Sequence, residues 1–186
     1  MKFNWKKRLI KPHQLTEVGE KIHAKGKKIV YTAGAWDMLH VGQVRYLHEA
    51  KIKGDVLVVG VSSNQTVRKL KGCNRPILDE KIRAEMLTYI RFIDLVTIVP
   101  QISNQPTIAL LKPDIYITVK EGWNDGYKES KEYKTVTSYG GDVELVERQS
   151  PFISTTQILK RTVSSHLNDV LQDYLNVAQD PLTEKK

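Results

Sequence analysis

The chain has 186 residues, of which 40% are hydrophobic and 27% are charged, proportions that exclude a wholly disordered protein. Its longest apolar run, residues 56–61, falls far short of the roughly 20 residues that a membrane-spanning helix needs. A single cysteine, Cys73, excludes an intramolecular disulfide and a cysteine-built zinc site. Because residues 1–30 contain no apolar segment typical of a secretory signal, we expect a cytoplasmic protein.

The charge is unevenly distributed along the chain. The 29 Lys and Arg exceed the 21 Asp and Glu, for a formal net charge of +8, and nine of the basic residues lie in positions 1–30. We interpret residues 1–26 as a solvated basic leader without a specific ligand. A nucleic-acid binder is the least favoured class, since no aromatic side chains interleave with the basic ones as they do where bases stack.

Short β-branched runs alternate with helical patterns along the rest of the chain. Predicted strands cover residues 28–32, 55–62, 95–99, 115–120 and 143–147. Predicted helices cover residues 41–53, 79–91, 107–111 and 130–139, followed by a long C-terminal helix over 157–175. The strands are apolar at consecutive positions, as expected of strands that are covered on both faces. The alternation predicts an α/β, Rossmann-like fold with a doubly wound parallel sheet and a C-terminal helix.

Residues 31–43, Y-T-A-G-A-W-D-M-L-H-V-G-Q, follow the first of these strands and open the next helix. The small residues at 33–35 let a ligand approach the backbone closely, and Gly42 leaves the amides of the first helical turn uncovered beside an anion. His40 and Gln43 lie three residues apart and point the same way at the helix start. An imidazole and an amide are therefore placed to donate hydrogen bonds to a phosphate chain at the carboxyl edge of the sheet.

The segment T-A-G-A-W-D-M-L-H-V-G-Q resembles the T-x-G-x-F-D-x-x-H-x-G-H motif of nucleotidylyltransferases that activate phosphorylated sugars and alcohols. The continuation through residues 44–64, and L-K-G-C-N-R-P after it, most resembles the adenylyltransferase domain that makes ADP-heptose for lipopolysaccharide. I-S-T-T at 153–156 and R-F-I-D at 91–94 resemble segments of glycerol-phosphate cytidylyltransferases. The resemblance implies a nucleotidylyltransferase domain over residues 27–160, with 161–186 as a C-terminal helix and tail.

The reaction that this resemblance implies is attack by a phosphate-monoester oxygen on the α-phosphorus of a nucleoside triphosphate, with release of pyrophosphate. Mg²⁺ is the implied cofactor, bound through phosphate oxygens and water, and no protein metal ligands are predicted. ATP and a phosphorylated sugar resembling heptose 1-phosphate are favoured as substrates. A CTP-dependent transferase for glycerol phosphate or another alcohol phosphate stays open, as does a catalytically weak nucleotide-binding protein. A homodimer is also left open, and neither a nucleic-acid nor a membrane partner is predicted.

The resemblance also implies roles for individual residues. The implied nucleotide-binding residues are Ala35, Trp36, His40, Gly42, Gln43, Arg91, Ile153, Ser154, Thr155 and Thr156. The implied acceptor-binding residues are Lys69, Lys71, Arg83, Lys120 and Trp123. Among all of these, the predicted catalytic residues are His40, Gln43 and Lys71. For Arg83 and Arg91, a structural ion-pair role is the open alternative.

Two departures from the family pattern affect the function. Gln43 stands where the family motif has its second histidine, and glutamine donates a hydrogen bond but never becomes cationic. Loss of one charged transition-state contact costs roughly 10²–10³ in rate. After the fourth predicted strand, K-E-G-W-N-D-G-Y replaces the K-G-G-D-Y of the heptose enzymes, so the acceptor is open as well.

Overall fold

The computed structural model describes residues 4–122, 125–147, 149 and 153–178, and within these it contains one six-stranded, fully parallel sheet. The order across the sheet is β1-β4-β3-β2-β5-β6. In chain order the strands are β1 (Leu9–Ile10), β2 (Ile29–Gly34), β3 (Val56–Ser62), β4 (Leu95–Val99), β5 (Ile115–Val119) and β6 (Asp142–Val146). The predicted doubly wound α/β fold is confirmed.

Helices cover both faces of this sheet. They are α1 (Leu15–His23), α2 (Val41–Lys51), α3 (Asn64–Lys71), α4 (Glu80–Thr88), α5 (Gln105–Leu111) and α6 (Lys131–Ser138). A seventh helix, α7 (Thr155–Ala178), belongs to a separate unit. On one face, Leu47 of α2 and Leu87 of α4 pack in a core with alternate strand residues. On the other face, Leu15 of α1, Leu111 of α5 and Val136 of α6 form the second core. The consecutive apolar residues of the strands divide between these two cores, which explains their unbroken hydrophobic pattern.

The strand order reverses direction at β2. The chain moves from β2 to β3 on one side through α2, and it later returns to β5 on the other side of β2 through α5. Over their described lengths β2 and β5 pair only at Val30↔Ile115 and Tyr31↔Tyr116, whereas β2 and β3 stay paired from Ile29 to Gly34. The sheet therefore splits between β2 and β5 toward its carboxyl edge, which is where open α/β sheets bind ligands.

The amino-terminal segment differs from the predicted solvated leader. β1 pairs with β4 at the sheet edge, and α1 buries Leu15 and Gly19 against the second core. A side chain at position 19 would meet the carbonyl oxygen of Leu111 at 2.5 Å, so α1 and α5 approach closely. Arg8 anchors the segment further by donating to the backbone carbonyls of Thr88, Ile90 and Ile93 at 3.0–3.2 Å. The basic residues of this segment surround a part of the fold that the sequence interpretation missed.

Two helix predictions also change. Residues 64–71, where no helix was predicted, form α3, whose start is capped by the Ser63 hydroxyl accepting from the Thr66 amide at 3.1 Å. The helix predicted over 79–91 ends at Thr88, so Arg83 and Arg91 do not share a helix.

Residues 151–186 form a second compact unit, whose described part is α7 with the two residues before it. The Ser154 hydroxyl accepts from the Gln157 amide at 3.2 Å, so the helix begins slightly earlier than predicted. Its apolar side chains at Val163, Leu167, Val170 and Leu171 are exposed. Across the described part of the chain, none of the helices has the length and apolar character needed to cross a membrane.

Replacing Leu15 by Ala tests the position of the amino-terminal segment. Because Leu15 is fully buried in the second core, we expect the free energy of unfolding to fall by about 2–5 kcal/mol. Lys21→Ala on the exposed side of the same helix is the matched control and should change it by less than about 0.5 kcal/mol. Urea denaturation measures the free energy of unfolding of both variants. Equal values for the two would support the interpretation of residues 1–26 as a solvated leader.

Candidate active site at the β2–β5 split

The loop of residues 35–40 leaves the carboxyl end of β2 beside the split. Across the split, the Tyr46 hydroxyl of α2 donates to the Ile117 carbonyl of β5 at 3.1 Å and lies 2.7 Å from the Thr32 hydroxyl of β2. Burial raises the pKa of Tyr46 to about 12, so this phenol stays protonated and continues to donate. Tyr46 thus fixes the start of α2 over the diverging strands.

His40 is the N-cap residue of α2, and the Gln43 side chain completes the capping interaction. The Gln43 side-chain oxygen accepts from the His40 amide at 3.0 Å, a contact of the capping-box type. Gly42 is buried in the first turn, which leaves backbone amides near His40 without a covering side chain. A helix N-terminus with uncovered amides and an adjacent imidazole suits a phosphate group. Gln43 here uses its carbonyl oxygen for the cap, and its amide nitrogen is the donor left for a ligand.

Trp36, predicted to line the triphosphate, has its side chain in the core. Its indole nitrogen donates to the Gly60 carbonyl at 2.8 Å, its ring lies 5.9 Å from that of Tyr46, and it is 6% exposed. The indole itself is engaged within the protein, and the nucleotide contact predicted at position 36 stays a prediction. The aromatic residue holds the 35–40 loop down onto β3.

Arg83, predicted to bind substrate phosphate, is 1% exposed and committed to the protein itself. Its guanidinium donates to the carbonyls of Ala35, Leu78 (2.9 Å) and Ser62 (2.8 Å), and to the side-chain oxygen of Asn64 (2.9 Å). Burial lowers the pKa of Arg83. These contacts favour the structural alternative, in which Arg83 ties together the segments that follow β2, follow β3 and precede α4, and the phosphate contact stays a prediction.

Lys69 and Lys71 lie in the last turn of α3, where they are exposed beside Arg68. The helix ends at Gly72, whose φ of 95° is a conformation that favours glycine. These lysines follow the carboxyl end of β3, on the same sheet edge as the 35–40 loop. The structure thus gives this edge a cationic segment, as a site for anionic substrates requires.

The remaining predicted acceptor residues follow the carboxyl end of β5. Lys120 comes directly after the strand, is exposed, and pairs with Glu147 at 3.2 Å after β6. Trp123 lies outside the described residues.

Arg91 lies at the opposite edge of the sheet. It follows α4 in an exposed turn before β4, whose first residue pairs with Val58 near the start of β3. Arg91 is therefore at the end of the sheet where the strands begin, away from the 35–40 loop, and its nucleotide contact stays a prediction. Ile153, Ser154, Thr155 and Thr156 belong to the second unit, where they precede and begin α7.

The described residues bring no three His, Cys, Asp or Glu side chains together as a metal-binding group. The charged side chains in the last turn of α3 are Arg68, Lys69 and Lys71, a donor set that fits phosphate and not a bare cation. A divalent ion fits this edge when it arrives bound to a triphosphate.

Comparison with known proteins identifies the family. The family model described as "Cytidylyltransferase-like" matches residues 31–161, most of the chain and all of the elements from β2 to the start of α7. The chain belongs to the cytidylyltransferase-like family. This confirms the resemblance found from the motifs and the nucleotidyltransferase class that it implies.

Relatives in this family match the same region. "Bifunctional protein HldE" of Geobacter metallireducens is 41% identical over 146 residues, which are 77% of this chain and 28% of that protein. The protein of the same name from Trichlorobacter lovleyi is 34% identical over 83% of this chain and 31% of its own length. The chain thus spans less than a third of these curated relatives. The crystal structure of the "lipopolysaccharide core biosynthesis protein" from Thermoplasma volcanium superposes with a TM-score of 0.56, at 25% identity, over 66% of this chain and 98% of that one.

Sequence reasoning missed several residues that build this cytidylyltransferase-like site. Asp37 is 1% exposed and accepts from Arg75 and from two backbone amides, and Asn64 accepts from Arg83. One signal was present in the sequence, since Asp37 is a carboxylate in an otherwise small and apolar segment. Such a residue is buried only when its oxygens are paired.

Proposed function

We propose that this chain transfers the nucleotidyl group of ATP to a sugar phosphate of the heptose 1-phosphate class and releases pyrophosphate. The observation that carries the proposal is the split between β2 and β5 with the His40-capped start of α2 directly above it. A triphosphate at this helix start meets uncovered amides, and the exposed lysines at the end of α3 supply charge for an acceptor phosphate.

The reaction requires that the two substrates be aligned and that the negative charge of their phosphates be neutralised. An acceptor phosphate oxygen attacks the α-phosphorus, the bond to the bridging oxygen of the β-phosphate breaks, and negative charge grows on the departing pyrophosphate. His40 and the start of α2 oppose that charge, while Lys69 and Lys71 hold the acceptor in line. Mg²⁺ supplies further neutralisation between the phosphates when it is bound.

The proposed acceptor rests on the relatives. A "lipopolysaccharide core biosynthesis protein" shares the fold, and the adenylyltransferase domain that the motifs most resemble makes ADP-heptose. The chain matches less than a third of the length of the HldE proteins, so the acceptor is part of this proposal. The homodimer stays a prediction, which sedimentation velocity on the intact chain measures.

The alternative is a CTP-dependent transferase acting on an alcohol phosphate, favoured by I-S-T-T at 153–156. Calorimetric titration with ATP and with CTP, each with Mg²⁺, separates the two nucleotides. A pyrophosphate-release screen with heptose 1-phosphate and glycerol phosphate then separates the acceptors. The proposal expects ATP binding and heptose 1-phosphate turnover. Preference for CTP and glycerol phosphate would establish the alternative, and binding of neither nucleotide by folded protein would remove both.

Gln43→His tests how much kcat is lost because position 43 has no side chain that can become positively charged. Because histidine can carry a positive charge toward the leaving pyrophosphate, we expect kcat to rise by about 10²-fold with little change in nucleotide affinity. Gln43→Glu is the matched control, since it keeps the oxygen that caps the His40 amide but places a negative charge beside the phosphates. Steady-state pyrophosphate release measures all three proteins. An unchanged kcat in the histidine variant would mean that this position does not limit the rate.

A further inference from the structure

The loop of residues 72–79 joins α3 to α4 and follows directly after the lysine-bearing end of α3. Its first part, from Gly72 to Asn74, is exposed, whereas Arg75 and Leu78 make contacts with the 35–40 loop and with Arg83. Residues 75–78 therefore tether the chain on the carboxyl-terminal side of the lysine-bearing end of α3.

Asp37 holds these residues with both of its carboxylate oxygens. Its Oδ2 atom accepts from Arg75 Nε and from the Ile77 amide, each at 2.9 Å, and lies 2.9 Å from Arg75 Nη2. Its Oδ1 atom accepts from the Leu78 amide at 3.0 Å. The Asp37 side chain is 1% exposed and that of Arg75 is 13% exposed, so the pair is largely removed from solvent. A fork-shaped, charge-assisted contact of this kind fixes geometry as well as adding energy.

Asp37 is also placed in a strained piece of backbone. Trp36 and Met38, its two neighbours, have φ angles of 50° and 49°, a left-handed conformation that is unfavourable for a non-glycine residue. Such a conformation persists only where surrounding contacts determine it. The buried Trp36 indole and the paired Asp37 carboxylate supply those contacts, and His40 follows only two residues after Met38.

We propose that Asp37 and Arg75 are positioning residues that set the place of the Lys69–Lys71 end of α3 relative to His40. The pair joins the loop that leads to His40 with the loop that follows the lysines, so one contact orders both halves of the site. This inference rests on the proposed function, because it takes Lys71 to bind the acceptor phosphate. Arg83 holds the Leu78 carbonyl independently at 2.9 Å, so loss of Arg75 frees the 72–76 part of the loop and leaves the fold intact.

Cys73, the single cysteine of the chain, is exposed within this loop and gives a direct reading of its mobility. A nitroxide attached to Cys73 should show clearly faster motion by electron paramagnetic resonance in Arg75→Met than in the unaltered protein. Arg75→Lys keeps the charge but lacks the fork, and we expect intermediate motion. Lys53→Met is the matched control, since it removes another ion pair, to Glu144 at 2.9 Å, away from this loop. It should leave the nitroxide spectrum unchanged.

Kinetics on the unlabelled proteins separates positioning from stability. In Arg75→Met we expect the KM for heptose 1-phosphate to rise by about 10- to 100-fold while the KM for ATP changes less than about twofold. Arg75→Lys should recover part of the loss, and Lys53→Met should match the unaltered protein. A general loss of stability would move both KM values together and would not be relieved by lysine.

An unchanged nitroxide spectrum in Arg75→Met overturns the proposal, and so does a mobile loop with an unchanged acceptor KM. If Arg75→Met does not fold, the same two readings on Arg75→Lys decide. Absence of turnover by the unaltered protein would instead overturn the proposed function and the positioning role that rests on it. In that case the nitroxide spectra still report whether Arg75 holds the loop.

Discussion

Replacing His40 by Ala should reduce kcat by about 10²–10³-fold, because it removes a donor from the place where charge grows on the departing pyrophosphate. His40 caps α2 beside the β2–β5 split, and the backbone amides of a helix start favour a phosphate placed there. Steady-state pyrophosphate release under saturating ATP and heptose 1-phosphate measures the effect.

His40→Asn is the matched variant that separates catalysis from capping. Asparagine is among the best N-cap residues, so α2 should keep its start and the protein its thermal midpoint. The asparagine amide cannot become cationic, and we expect most of the loss in kcat to remain. If both variants keep the kcat of the unaltered protein, His40 has no role in the reaction.

Arg83→Met should lower the free energy of unfolding by about 3–5 kcal/mol, a larger effect than for other single polar changes in this protein. The variant leaves the carbonyls of Ala35, Ser62 and Leu78 without their guanidinium donor in a buried place. Methionine fills much of the volume, so the loss comes mainly from those unsatisfied acceptors. Urea denaturation monitored by circular dichroism measures it.

Arg91→Met is the control that distinguishes a structural arginine from a phosphate contact. Arg91 is exposed at the opposite edge of the sheet, and its replacement should change the unfolding free energy by less than about 0.5 kcal/mol. A phosphate-binding Arg83 would instead give a stable variant with a greatly raised KM. That result would contradict the buried role.

Most of the strands and helices were predictable from the hydrophobic pattern of the sequence alone. Runs such as residues 56–61 are apolar at every position because both faces of β3 are covered, and this pattern is local and readable. β1 was not predicted because it has two residues and is formed by pairing with β4, 87 positions away in the sequence. α3 was not predicted because its basic, mostly polar sequence resembles that of a loop. Its formation depends on the Ser63 cap.

The candidate site was predictable where a residue's role depends on its backbone position. His40, Gly42 and Gln43 open α2 as the motif indicates, because a helix start is fixed by a few adjacent residues. The roles of Arg83 and Trp36 were not predictable in the same way. An arginine in a phosphate-binding protein can equally well be buried and donate to loop carbonyls. Which of the two roles it takes depends on which segments folding brings near it. Asp37 and Arg75 are 38 positions apart, so their pairing is a property of the tertiary fold alone.

The most direct test of the central claim is to incubate the protein with ATP, Mg²⁺ and heptose 1-phosphate and to identify the products by mass spectrometry. The account predicts one pyrophosphate for each ADP-heptose formed, with neither product when the acceptor is omitted. Pyrophosphate without a nucleotide sugar, or no product from ATP or CTP in a folded sample that binds the nucleotide, would contradict nucleotidyl transfer at this site.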